Sequence, residues 1–139
     1  MTGSPEQIRA ALTDLLPRLR RFARTLTLDD STADDCVAAA IERALAEHDR
    51  PTADVETWLF GLVRAASLKQ PPQIAGQTDS AAGSIEHALK QLPEEQRAAV
   101  ALTLIEGLSY ARAAQAMDVS VLRFMNRLAR GREALQAVL

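Results

Sequence analysis

The stretch "SVLRFMNRLARGR", residues 120–132, holds side chains whose types and spacing suit contact with a nucleic acid. An arginine offers a fork of donors that fits a guanine edge or a phosphate, and an asparagine fits adenine. Arg123 can therefore reach a guanine edge or a phosphate, and Asn126 can read adenine. Arg123, Arg127, Arg130 and Arg132 either contact phosphates or are ordinary surface charge. Leu122 and Met125 lie among them and cannot hydrogen-bond to a base edge. They suit apolar contact with a thymine methyl, a protein-binding patch, or shielding by another part of the chain.

A helix must present these groups. In "SYARAAQAMDVS", Ser109 is suited to cap one short helix and Ser120 the next. Asp118 falls at the bend, where aspartate tolerates left-handed geometry better than most residues do. Ala114 marks a close approach between helices. Val121, Phe124 and Leu128, at spacings of three and four, are expected to pack inward. The pattern predicts a helix-turn-helix whose second helix would lie in a major groove. Arg112, Ser120, Arg123, Asn126, Arg127 and Arg130 form the candidate DNA-binding set.

Other chemistry is sparse. Arg18, Arg20, Arg21 and Arg24 are either a solvated helix face, paired with Asp14 or other nearby acids, or a contact for a partner. Asp34 and Asp35 point about 100° apart on a helix, so they suit a helix N-terminus better than paired acid–base work. The sequence has no Gly-rich phosphate loop, nucleophile elbow or His–carboxylate constellation. It therefore predicts no enzyme activity, no cofactor and no metal site. His48 and His87 stand alone and read as surface or cap residues. Trp58 reads as core or domain-edge packing ahead of a stacking platform, and the single Cys36 as a small buried hydrophobe.

The 139 residues suffice for one ordinary domain or two very small ones. Apolar residues make up 47% and aromatics only 4%; with abundant alanine and few β-branched runs, this predicts an all-α fold. The net charge of −2 gives no global pull towards nucleic acid, so a DNA contact must be local. Residues 109–139 alone are basic, with 5 Lys/Arg against 2 Asp/Glu. No membrane span or leader segment is evident, which predicts a cytoplasmic protein without membrane contact.

Helical periodicity begins at Ser4-Pro5-Glu6 and runs to Leu26, with Pro17 either kinking that helix or starting another. A second helix is expected with Ser31 as cap, burying Val37, Ile41, Ala44 and Leu45. A third follows Pro51, burying Val55, Leu59, Leu62 and Val63 and ending near Gln70. "KQPPQIAGQTDSAAGS" reads as a flexible linker. A short helix over "SIEHALKQL" and another from Pro93 to Gly107 precede the helix-turn-helix. The expected organisation is a helical domain over 1–69, a linker over 70–83 and a helix-turn-helix domain over 84–139.

Taken together, "LPRLRRFARTLT", "ADDCVAAAIERAL", "TWLFGLVRAA", "LKQLPEEQRAAVALTLIEGLSYARAAQAM" and "RLARGREAL" resemble the extracytoplasmic-function group of bacterial RNA polymerase sigma factors. The resemblance implies two small helical domains. The first grips the polymerase clamp and opens the downstream promoter element; the second reads the upstream element. Core RNA polymerase and promoter DNA are the implied partners, with an anti-sigma factor as a further one. Arg20, Arg21, Arg24, Asp35, Ala38, Ala39, Trp58, Leu122 and Met125 are the implied partner-facing residues.

The chain departs from that group's pattern at several points. Leu122 and Arg123 stand where a glycine and a threonine are usual, Met125 where a basic or polar residue is usual, and Asp118 at a common turn glycine. Ala38-Ala39 replaces a Gln-Glu pair on the clamp-binding helix. Pro71-Pro72 interrupts the usual basic stretch, leaving Arg64 and Lys69 as the local cations. Two functions are therefore expected: a working initiation factor, or a sigma-like module that binds an anti-sigma factor without opening DNA.

Overall fold

Seven helices and one π-helical turn make up the regular structure of the described residues, and no strand occurs among them. The computed structural model describes residues 5–48, 54–70 and 85–138, with side chains from residue 88 to 137 in the last stretch. The helices are α1 (Pro5–Thr27), α2 (Asp30–Ala46), α3 (Val55–Leu68), α4 (Ile85–Lys90), α5 (Glu94–Val100), α6 (Tyr110–Met117) and α7 (Val121–Val138). The π turn, Ala101–Ile105, continues α5 without a break.

Pro17 lies inside α1 and does not divide it. Its ring displaces the bond to the carbonyl of Thr13, but both residues are exposed, so water can satisfy that oxygen. The second helix is capped by Asp29, not Ser31: the Asp29 carboxylate accepts from the Thr32 amide at 2.8 Å and from its hydroxyl at 2.7 Å. These bonds hold the Asp29 carboxyl below its usual range. Asp54 caps α3 in the same way through Thr57. Leu28, at the corner between α1 and α2, has φ 62°. A left-handed leucine is strained by about 1–2 kcal/mol, and its amide still closes α1 onto the Arg24 carbonyl at 2.8 Å.

α1, α2 and α3 pack on one another. Phe22 and Phe60 meet edge to face with centroids 5.4 Å apart. α2 contributes mainly small buried residues, Ala33, Cys36, Ala40 and Ala44, which let it lie close. Burial pushes the Cys36 thiol up, as expected of a packing cysteine. In the second half α7 buries Phe124, Leu128 and Leu135. An added Cβ at Gly131 would fall 2.9 Å from a Val100 methyl, so glycine sets how closely α7 approaches α5.

The two halves share one hydrophobic core. α3 lies against α6, and α1 against α5. The two helices approach closely at Gly61, where a Cβ would stand 3.1 Å from the Ala116 carbonyl oxygen. The expected linker, residues 70–83, falls almost wholly outside the described residues.

Candidate nucleic-acid interface

α6 and α7 form the expected bend. Ser109 caps α6, accepting from the Arg112 amide at 3.2 Å. Asp118 takes the left-handed conformation, φ 56° and ψ 46°. The Val119 amide then reaches back to the Ala114 carbonyl at 3.0 Å, closing the helix as a Schellman-type turn. Ser120 caps α7 through the Arg123 amide at 3.1 Å. Ala114, Phe124 and Leu128 are buried. Val121 is a correction: as the first residue of α7 it is 43% exposed, while the Tyr110 ring lies beside that of Phe124 with centroids 6.0 Å apart.

Leu122, Arg123, Met125 and Asn126 all face outward. Leu122 is 79% exposed and Met125 45%, so neither is shielded by the other half of the chain. The polar groups beside them are already engaged. Glu95 of α5 accepts from Arg127 at 2.7 Å and from Arg123 at 3.2 Å. The Arg127 bond leads the effects holding the Glu95 carboxyl below its usual range. Arg130 donates to the Asn126 side-chain oxygen at 3.3 Å.

Arg112 lies apart from that face. Its guanidinium turns to α3, donating to Asp54 at 2.6 Å, to the Thr57 hydroxyl at 2.9 Å and to Glu56. Glu56 also accepts from Arg18. Burial works against the charge on Asp54 and Glu56, but the arginine and threonine bonds outweigh it and hold both carboxyls below the usual range. The bond to Glu56 leads the effects that raise Arg112 in turn.

A second polar junction centres on Glu106, whose side chain is wholly buried. It accepts from Arg21 at 2.8 and 2.9 Å and from Arg18 at 3.4 Å, and its backbone carbonyl accepts from Arg18 at 2.6 Å. The Glu106 bond raises Arg21 above its ordinary value. These acids replace Asp14, the partner that sequence spacing suggested, because they approach from across the fold. Arg24 pairs with Asp30 at 2.7 Å, and Arg20 is exposed. Arg64 is also committed, to Glu94 at 2.8 Å and the Met117 carbonyl at 3.2 Å. Asp35, Ala38 and Ala39 are exposed on α2; Trp58 is half-buried against the core.

Sequence reasoning missed Glu106, Glu95 and Arg97. Arg97 donates to three backbone carbonyls, Leu26 at 2.8 Å, Leu89 at 3.0 Å and Leu92 at 2.8 Å, and so ties α1 to the turn after α4. Burial pulls it below its ordinary value. Nothing in local periodicity marks these residues. His48 is half-buried at the end of α2, and the side chain of His87 lies outside the described residues.

Comparison with known proteins agrees with this architecture. Residues 82–135 match the family described as Sigma-70, region 4, and residues 12–64 match the Sigma2 domain of PhyR. The ECF RNA polymerase sigma factor EcfG of Rhodopseudomonas palustris (strain TIE-1) is 28% identical, over 96% of this chain and 86% of its own length. The sigma factor RpoE of Bartonella quintana, solved in complex with the anti-sigma factor NepR, superposes with a TM-score of 0.77 at 25% identity, covering 94% of both chains. The anti-anti-sigma factor PhyR of the same organism, also solved with NepR, superposes at 0.71 and 25% identity, over 91% of this chain and 48% of its own. With a sigma2-type unit in α1–α3 followed by a region 4 helix-turn-helix, the chain has the two-unit organisation of sigma factors, and these matches support its membership of the extracytoplasmic-function group.

Proposed function

We propose that the chain is a transcription initiation factor that binds core RNA polymerase, directs it to promoter DNA, and is held in check by an anti-sigma factor. The observation that carries this is the pairing of both sigma units, in order, over 86% of the length of a sigma factor relative. In this reading α2 and α3 face the polymerase. Arg123 and Asn126 read bases, and Arg127 and Arg130 hold phosphates. Mixing purified protein with core polymerase and a candidate promoter should give transcripts from a defined start. No retention of the chain by immobilised core polymerase would end this reading.

A second reading keeps the shape and drops the promoter. Leu122 and Met125 are exposed on the reading helix, and Ala38 and Ala39 leave an apolar surface on α2. Such a module would bind an anti-sigma helix in place of DNA. Leu122→Asp with Met125→Asp should then abolish binding to a NepR-type anti-sigma protein in calorimetry, because a charge would be desolvated in an apolar contact. Both substitutions are at the surface and should leave folding intact. Affinity for core polymerase separates the two readings directly.

A further inference from the structure

We propose that Asp54 and Glu56 act as an internal substitute for DNA phosphates, occupying Arg112 so that full DNA engagement by the α6–α7 unit requires the two halves to part. The inference rests on the DNA-binding reading above and adds a regulatory contact to it. Arg112 lies in the first turn of α6. The first helix of a helix-turn-helix crosses the phosphate backbone of its target. A guanidinium there is matched to oxyanions, which it binds by short charge-assisted bonds.

In this structure the oxyanions come from the chain itself. Asp54 and Glu56 each place a carboxylate oxygen on Nη2 of Arg112, and the Thr57 hydroxyl takes Nε. All three acceptors belong to the cap and first turn of α3. Behind them Gly61 lies against the Ala116 carbonyl, so no strand of DNA fits between α3 and α6. A phosphate can reach these donors only by displacing both carboxylates. Parting the halves also breaks the Glu106 bonds to Arg18 and Arg21.

The test uses the full chain. Asp54→Asn with Glu56→Gln removes the two charges while asparagine keeps the α3 cap. Asp34→Asn with Glu42→Gln, on the exposed face of α2, makes the same charge change away from Arg112. Spin labels at Ala46→Cys and Gln136→Cys report the separation of the halves by pulsed electron resonance; Cys36 is buried and does not label. Affinity for a labelled duplex is measured across salt concentrations. The proposal expects a longer, broader label separation in the Asp54/Glu56 variant, severalfold tighter DNA binding than the α2 control, and a salt slope steeper by about 0.9 for one added phosphate contact. Unchanged label separation overturns it, and so does DNA binding equal to that of the control. If none of the proteins binds DNA at low salt, the promoter reading fails and the competition fails with it; the label separation still reports whether the carboxylates hold the halves together.

Discussion

The carboxylate of Glu95 lies between Arg123 and Arg127, with one oxygen on each guanidinium. A helix that is to grip DNA thus begins with two of its cations sharing one acid of its own domain. Glu95→Gln should release both. The expected result is tighter DNA binding and a steeper salt slope, by about 0.9 for each phosphate gained. In the Glu95→Gln background, Arg123→Ala with Arg127→Ala should reverse that steepening. Fluorescence anisotropy of a labelled duplex between low and moderate salt measures both.

Glu106 makes the opposite prediction, about stability. Its carboxylate is buried and depends on Arg18 and Arg21, so removing both donors leaves an uncompensated interior charge. Breaking a buried pair from one side costs about 3–5 kcal/mol, and the partial exposure of both arginines places this case at about 3 or below. Arg18→Ala with Arg21→Ala should therefore lower the urea midpoint substantially. Further substitution of Glu106→Gln should recover part of the loss, because the orphaned charge is then gone.

Asp118 holds a left-handed conformation that glycine adopts without cost. Asp118→Gly should stabilise the chain by about 0.5–1 kcal/mol, and Asp118→Ala should destabilise it by about 1 kcal/mol. Thermal unfolding followed by circular dichroism reads both. DNA affinity should move little, since the side chain of Asp118 makes no bond to the reading helix.

The contact of Arg112 with Asp54 and Glu56 has a defined pH dependence. Both carboxyls sit below their ordinary values in the folded chain. Their contribution is therefore complete above the ordinary carboxylate range, about 3.9–4.3, and disappears as the pH falls through the lowered values. Label separation between the halves should stay constant from neutrality to about pH 5 and increase only in stronger acid. Separation that changes near pH 6–7 would assign the contact to another group.

Much of the fold was legible because its signals are local. Ile8, Leu12, Leu15, Leu16, Leu19, Phe22, Ala23 and Leu26 repeat at helical spacing, and all but the half-buried Leu16 are buried. Ser109, Ser120 and Asp118 are residue types that suit caps and turns, and they occupy those positions. Caps were less certain where several acceptors crowd together, and Asp29 took the place expected for Ser31. The site was less legible for a different reason. Arg18 meets Glu106 across 88 positions of sequence, and Arg112 meets Asp54 across 58. Spacing along one helix cannot show such pairs. The face of α7 was read correctly as outward, but its ties to Glu95 depend on how α5 packs against it.

The π turn at Ala101–Ile105 carries one more residue than an α-helical turn would use, and the Glu106 amide bonds to the Ala101 carbonyl at 2.9 Å. A π turn takes up that extra residue within about one revolution, so the chain beyond it keeps its phase. In an unbroken α-helix the same extra residue would swing Glu106 about 100° around the axis, and its carboxylate would miss Arg18 and Arg21. The mating of the two halves thus depends on the wide turn absorbing one supernumerary position; without it every helix would stay intact while the faces no longer met.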